Sequence, residues 1–515
     1  MYSKENAKAS VMSLPATRFL VDEQSEVFFS TSETTRAISY QARRGRLRKL
    51  GPRLYSTNLE DAPEDVARRH VWRIAAGYFP GAVVVDRTAI EFRPAADGSI
   101  TLAVDRRKAD VTAVPGLRLR PRVGPTEVPG DTAEQFGTDL RVSSRARAFL
   151  DNMRPSRGRA GLVSRTLSRA EMEEALDEYA RNDQDALNKL RDETRALAPR
   201  LGAEKELEAL DGVIGRLCGT RPGRLTTARG RARRRGTPFD HARVARLDEL
   251  AGYLNGAAAL QVSERQSNDT EVFAFFEAYF SNYIEGTEFD VKEAEAIVFD
   301  GAIPATRPKD ARDIIGTYKL VVEASQRARV PHSADELIGI LKDQHQRMLA
   351  ARPEVSPGEF KAKPNHAGGY YFVDPELVEG TLREAFGFYN TLAPGFARAL
   401  FAMFLVAEVH PFADGNGRIA RVLMNSELTA AGMQRIIVTT AARGDYLAGL
   451  RAMSYQGWSR TLERILASIQ RQTAELDFSS LEGAERQLEE ARAYEYVSAF
   501  GSDRLLGLGE PMSGR

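Results

Sequence analysis

The most constraining stretch of this 515-residue chain is FARALFAMFLVAEVHPFADGNGRIARVLMNSELTAAG, residues 396–432. An apolar run to Val409 is long enough for a buried helix, and Pro411 stops it. A second helical pattern follows Gly417 and carries Arg418 and Arg421, three apart and so about one turn apart on one face. Gly415 and Gly417 bracket Asn416 at the start of that helix, which lets successive backbone N–H groups converge on one point. Such a nest, backed by a helix N-terminus, binds phosphate. The forked donors of Arg418 and Arg421 suit the rest of a phosphate tail. Asp414 is a hard oxygen ligand suited to Mg2+ shared with substrate phosphates. His410 precedes the loop, placed to accept a proton from an incoming hydroxyl. A bare GNG turn between core helices needs none of these companions. Base, carboxylate, nest and two arginines within twelve residues read as a nucleotide site.

The same residues match the signature H-x-F-x-[D/E]-G-N-G-R-x-x-R at every defined position, and residues 245–475 resemble the Fic family. The resemblance implies a mainly α protein: an all-helical core with a β-hairpin flap, preceded here by a smaller α+β region. It implies an enzyme that transfers AMP from Mg2+–ATP to a Ser, Thr or Tyr hydroxyl of a target protein or of itself. By position, His410 becomes the general base and Asp414 the Mg2+ ligand. Gly415, Asn416 and Gly417 become the phosphate cradle, and Arg418 and Arg421 hold the phosphates beyond the α-position. Gly368, Gly369, Tyr370, Tyr371 and Phe372 fall in the flap that clamps the target by strand pairing.

Upstream, EVFAFFEAYFSNYIEGTEFD (271–290) reads as a helix with Phe273, Phe276, Tyr279 and Tyr283 at core spacing. Its end, Ser281-x-x-x-Glu285-Gly286, matches the family's inhibitory motif [S/T]-x-x-x-E-[G/N]. Gly286 suits a helix C-terminus that needs positive φ. A glutamate there opposes the helix dipole, which favours a specific cationic partner; the resemblance names Arg421. Glu285 would then occupy the arginine that binds the γ-phosphate. Three alternatives stay open: Glu285 orienting a water that removes AMP, transfer of another nucleotide-derived group, and a DNA-binding regulator whose nucleotide site only senses.

The remainder is bounded by composition. Residues 1–240 carry a net charge of +10 and residues 241–515 a net −9, which points the first half toward anionic partners, nucleic acid among them. One cysteine, Cys218, excludes a disulfide framework and a zinc ribbon. No apolar run reaches the roughly 18 residues of a membrane span, and the first twenty residues lack a signal core, so the expectation is a cytoplasmic protein without membrane contact. Residues 1–34 read as a flexible arm and 35–125 as a winged-helix-like and mixed α/β region. A helical region, 126–218, precedes a basic linker or loop at 219–240 with seven arginines. The Fic-like domain takes 241–476, and a C-terminal helix and tail take 477–515. Residues 36–56, 75–94 and 114–124 resemble antitoxin and transcriptional-regulator proteins of the AbiE type, which begin with a winged helix. If DNA binding comes with that resemblance, Arg43, Arg44, Arg46, Arg48 and Lys49 would be the phosphate contacts; the alternative that stays open is a scaffold that positions target proteins near the flap.

Overall fold

In a computed structural model of the chain, residues 26–132, 138–154, 156, 161–181, 183, 185–257, 271–367 and 369–495 are described. The chain divides into two compact units between Arg234 and Arg235. Among the described residues no helix is long and apolar enough to cross a membrane.

The first unit runs β1 (Val27–Phe29), α1 (Thr35–Arg43), β2 (Arg48–Gly51), β3 (Leu54–Ser56), α2 (Pro63–Arg69), α3 (Val71–Tyr78), β4 (Val83–Val84), α4 (Asp86–Glu91), β5 (Ser99–Val104), β6 (Arg118–Val123), β7 (Arg141–Val142), α5 (Arg145–Asn152), α6 (Arg169–Tyr179), α7 (Ala186–Leu201), α8 (Glu204–Leu217) and α9 (Ala228–Arg234). The small strands β1, β3 and β2 form an antiparallel sheet with Phe28 opposite Tyr55 and Lys49 opposite the other edge of Tyr55. The second sheet has the order β6-β5-β4-β7, with β5 and β6 parallel. Every residue of β5 is buried, as a central strand covered on both faces must be. Leu54, Val66, Ile74, Val84, Ile100 and Leu119 share one core beneath these elements, while Phe149, Leu176, Leu190, Leu210 and Ile214 make a second core among the helices from α5 to α8.

Several expectations need correction. The reading of 1–34 as an arm misses β1, whose Val27 and Phe28 pair with β3 and are buried; residues 1–25 lie outside the described residues. The region 126–218 is not purely helical, because Arg141 and Val142 extend the second sheet beside β4. The stretch 219–234 is not a bare linker. Arg229 and Arg233 pair with Asp177, Arg221 pairs with Asp211, and the polypeptide folds into α9.

The second unit contains α10 (His241–Gly256), α11 (Glu271–Tyr283), α12 (Val291–Phe299), α13 (Pro308–Val322), α14 (Ala324–Arg327), α15 (Ala334–Met348), the short hairpin β8 (His366–Ala367) and β9 (Tyr370–Tyr371), α16 (Val378–Tyr389), α17 (Phe396–Val409), α18 (Asn416–Ala430), α19 (Arg443–Gln456), α20 (Ser459–Ala474) and α21 (Leu481–Glu490). Helix α17 is buried on nearly every side, from Phe396 to Val409, which is what an all-round apolar helix requires. It packs against α18, and Leu400, Phe404, Leu423 and Leu466 belong to the main core. Helical periodicity in the sequence predicts single helices over 168–197, 309–328 and 446–476, but the first is two helices, α6 and α7, the second breaks at an extended Glu323, and the third breaks where Gly457 turns left-handed at the end of α19. Helix α12 escapes the periodicity but has a clear start, where the Asp290 carboxylate accepts the Glu293 N–H at 2.7 Å.

Candidate functional site

The end of α17 and the start of α18 build the site. His410 caps α17 in the left-handed region, φ 53° and ψ 59°, a conformation that a non-glycine residue adopts at a cost. Its N–H still closes the helix on the Val406 carbonyl at 2.9 Å, and Pro411 prevents a further turn. The imidazole Nδ1 lies 3.3 Å from the Ala407 carbonyl. A carbonyl only accepts, so Nδ1 carries the proton and Nε2 keeps its lone pair. Burial holds the His410 pKa down to about 4. The ring is therefore neutral at pH 7, and Phe372 stacks on it with centroids 3.7 Å apart and planes 9° from parallel.

The loop after His410 is clamped from within. The Asn416 side chain accepts the Phe412 N–H at 2.8 Å and donates back to the Phe412 carbonyl at 2.9 Å. Asn365 donates to the same carbonyl at 2.9 Å, and the Lys361 N–H donates to the Pro411 carbonyl. Burial lowers the Lys361 pKa to about 8, and its ammonium donates to Asn365 Oδ1 at 2.7 Å. His345 of α15 supports the loop from beneath. Its Nε2 donates to the Asp414 carbonyl at 3.1 Å, its Nδ1 accepts the Gly358 N–H at 2.9 Å, and its ring stacks on Phe412 at 3.8 Å. Burial keeps this imidazole neutral too, with a pKa of about 4.

Gly415, at φ 78°, turns the backbone into α18, so the N–H groups of Asn416, Gly417 and Arg418 lie in the first turn and have no intrahelical acceptor. Donors so placed at a helix start suit an anion. The Glu285 carboxylate lies directly over them: a Cβ on Gly417 would stand 2.1 Å from Glu285 Oε1. Only glycine leaves room there. Glu285 Oε1 also accepts from Arg421 Nη2 at 2.9 Å. Arg421 is aimed by Ser281, whose hydroxyl accepts from Nε at 3.1 Å and whose carbonyl accepts from Nη2 at 2.8 Å. The Arg421 side chain is 6% exposed and that of Glu285 is 40% exposed. Gly286, at φ 95°, ends the helix, and the Arg443 guanidinium holds the Ile284 carbonyl at 2.9 Å.

The structure separates the two loop arginines. Arg418 turns inward to Asp313 Oδ2 at 2.9 Å and Asn282 Oδ1 at 3.1 Å, and reaches Asp414 at 3.4 Å. Asp414 is 52% exposed. Among the described residues no group of three or more His, Cys, Asp or Glu could hold a metal alone. The donor set fits Mg2+ in the manner of a single carboxylate completed by substrate phosphates and water.

Beside the site, the flap is shorter than the glycine- and aromatic-rich text suggests. Gly368 lies outside the described residues, Gly369 belongs to the turn, and two residues pair on each side. Tyr370 is held inward by Arg243 and Glu408, Tyr371 is 67% exposed, and Phe372 lies on His410. In the first unit, Arg43 and Arg44 end α1, Arg46 precedes β2, and Arg48 and Lys49 open it. Arg44 lies over the Tyr40 ring, and Arg48 is bonded to the Leu59 and Asp61 carbonyls. His345, Asn282, Asp313 and Lys361 carry no sequence signal of their own: each sits in an ordinary amphipathic or loop context and meets the 410–418 loop only after folding.

Residues 290–428 match the model of the Fic/DOC family. Over 187 residues the chain is 28% identical to protein adenylyltransferase fic-1 of Caenorhabditis elegans, an alignment covering 34% of this chain and 36% of that protein. Over 237 residues it is 25% identical to protein adenylyltransferase Fic of Drosophila melanogaster, covering 45% and 48% respectively. A solved Fic domain-containing signaling protein from Bacteroides thetaiotaomicron VPI-5482 is 20% identical, covering 47% of this chain and 97% of that one, with a TM-score of 0.36. The chain thus spans a third to a half of the length of the curated relatives it matches.

Proposed function

We propose that this chain, which carries a Fic/DOC-family segment over residues 290–428, is a protein adenylyltransferase restrained by its own Glu285. The observation that carries the proposal is the Glu285 carboxylate lying on Gly417 and bonded to Arg421, beside a neutral His410 whose Nε2 is free to accept a proton.

With Glu285 withdrawn, the first-turn N–H groups of α18 face the vacated position, and Arg421, still aimed by Ser281, faces the same point. Those donors fit the terminal phosphates of ATP. Asp414 would hold Mg2+, which supplies charge neutralisation on the leaving diphosphate. The target's hydroxyl oxygen forms a bond to the α-phosphorus, the bond to the diphosphate breaks, and the hydroxyl proton passes to His410 Nε2. Catalysis here is mostly positioning and charge stabilisation. His410 must present its lone pair toward the acceptor, and the Ala407 carbonyl and the Phe372 ring fix its tautomer and its plane. A nucleotide sensor would use the nest and Arg421 but would have no use for a neutral imidazole poised beside them.

The test is self-labelling with α-labelled and γ-labelled ATP. Glu285→Gly should retain α-label well above the unmodified chain and retain no γ-label, and His410→Ala in that background should remove the signal. Equal labelling of the unmodified chain and Glu285→Gly removes the inhibitory role. Retained γ-label replaces nucleotidyl transfer with kinase chemistry.

A further inference from the structure

The N-terminal unit holds a cavity of about 1030 Å3 that takes no part in the site described above. One wall is a face of α8, with Lys205, Glu208, Gly212 and Arg216 at helical spacing; the first turn of α6 and the end of α5 form the others. Among the described residues, six cationic side chains line it against two carboxylates. One of those carboxylates, Glu171, is already spent on Arg87, which holds it through two bonds of 2.7 and 2.8 Å.

Arg216 is the unusual member. Arg221 has Asp211, and Arg169 has Glu173 at 3.4 Å, but the Arg216 side chain makes no hydrogen bond or ion pair among the described residues. Its Nε is buried without a partner. Two glycines fix its position: a Cβ on Gly223 would meet its Cδ at 2.6 Å, and a Cβ on Gly212 would stand 3.5 Å from its Nη1. The guanidinium thus lies along the cavity wall with its fork unused. Burial, and then the positive charge of Arg169 with a smaller push from Arg221, hold its pKa below the ordinary arginine value against the opposing pull of the Glu173 carboxylate. A buried donor left unsatisfied among like charges is costly, and a planar fork is the geometry that matches a phosphate group.

We propose that this cavity binds a small phosphate-bearing anion, with Arg216 as its central ligand and Arg169, Arg221 and Lys205 around it. The volume exceeds what inorganic phosphate needs and matches a phosphorylated small molecule of nucleotide size. Gly212 leaves the space above Arg216 open.

Titration calorimetry on the full-length chain in magnesium-free buffer tests this, with AMP and inorganic pyrophosphate as separate probes. The unmodified chain should bind at least one of them. Stronger AMP binding identifies a nucleotide-like ligand, and equal binding identifies a free phosphoanion. Arg216→Gln should weaken the affinity at least tenfold, and Gly212→Glu, which sets a carboxylate beside Arg216, should abolish it. Arg421→Gln should leave that binding in place, which separates it from the nucleotide site. Thermal midpoints establish that the variants are folded. The proposal falls if both cavity variants bind as the unmodified chain does, or if neither probe binds. It also falls if duplex DNA binds and is lost in Arg216→Gln while AMP and pyrophosphate do not bind, which would make the cavity part of a polymer surface.

Discussion

Arg421, which is buried, and Arg216, which is half-buried with its Nε shielded, are both guanidinium groups beside a glycine, yet they rest in opposite states. Arg421 is met by the chain's own Glu285, seated over Gly417. Arg216 lies one turn beyond Gly212 on the same wall of an open cavity, and no carboxylate is bonded to it among the described residues. A site with a built-in counter-ion is stable when empty, and a ligand must displace that ion before it binds. A site without one is held in electrostatic tension until a ligand arrives. The first arrangement suits a reaction that must stay off by default, and the second suits a site meant to be filled from solution.

The largest expected effect removes the chemistry while the nest stays open. In a Glu285→Gly background, His410→Ala should lower α-label incorporation by about 10²- to 10⁴-fold, the range for loss of a positioned general base. Next comes the counter-ion itself. Breaking a fully buried ion pair costs about 3–5 kcal/mol, but Glu285 is 40% exposed, so solvent screening reduces that. A gain of about 2 kcal/mol, roughly 30-fold in labelling, is expected for Glu285→Gly. Glu285→Gln keeps the bulk and drops the charge, so it should release less than Glu285→Gly does. If the two variants label equally, charge alone holds the nest closed and the steric contact at Gly417 contributes nothing.

The parts of this site that were legible in the sequence are those set by local rules. An apolar run, a proline and a glycine pair fix the end of α17, the bend at His410 and the start of α18 without help from distant residues. The helix-terminal Glu285 was legible for a related reason: it opposes the local dipole, and the structure supplies the cation. Arg418 shows the limit of such reasoning. Spacing of three places it on the face of Arg421, but Asp313 and Asn282, more than a hundred residues upstream, draw it inward. His345 was invisible because its role consists of contacts to Gly358, Phe412 and Asp414, and an amphipathic helix gives no hint of them. The helix breaks at Glu323 and Gly457, and the strand at Val27, were missed because tertiary pairing and backbone geometry override apolar periodicity.

Two neutral imidazoles make the 410–418 loop sensitive to acid. His345 and His410 both have folded pKa values of about 4 against an ordinary 6.5, in each case through burial. Between pH 6.5 and about 4 the unfolded chain binds protons that the folded chain refuses, so stability rises with pH across that window and is lost as pH falls through it. His345→Gln preserves a donor for the Asp414 carbonyl and an acceptor for the Gly358 N–H while removing one titration. Its thermal midpoint should therefore fall less steeply from pH 6.5 to pH 4.5 than that of the unmodified chain. On the activity side, labelling by Glu285→Gly should be flat from about pH 5.5 to 8 with an acid limb near 4. A limb near 6.5 would show that the ring is solvated in the working enzyme.

The smallest effect tests the comparison most directly, because it gives the open site the counter-ion that the closed site already has. Gly212 lies inside α8, where a Cβ meets Arg216 at an ordinary contact distance of 3.5 Å. Replacing glycine in a helix interior gains about 0.5–1 kcal/mol from backbone propensity alone. Gly212→Ala isolates that part, about 1–4 °C in the thermal midpoint for a unit of this size. Gly212→Glu has nearly the same propensity and adds a carboxylate within reach of Arg216. Any further rise over Gly212→Ala measures what the Arg216 guanidinium gains from a bonded counter-ion, since Arg169 and Arg221 already have Glu173 and Asp211. That increment should shrink as salt is raised, because added ions screen the same charges. It should also shrink when pyrophosphate is present, because a bound anion would already be doing the work of the new carboxylate. Equal midpoints for the alanine and glutamate variants at low salt would mean that Arg216 is at ease without a counter-ion, and the contrast between the two sites would be one of geometry alone.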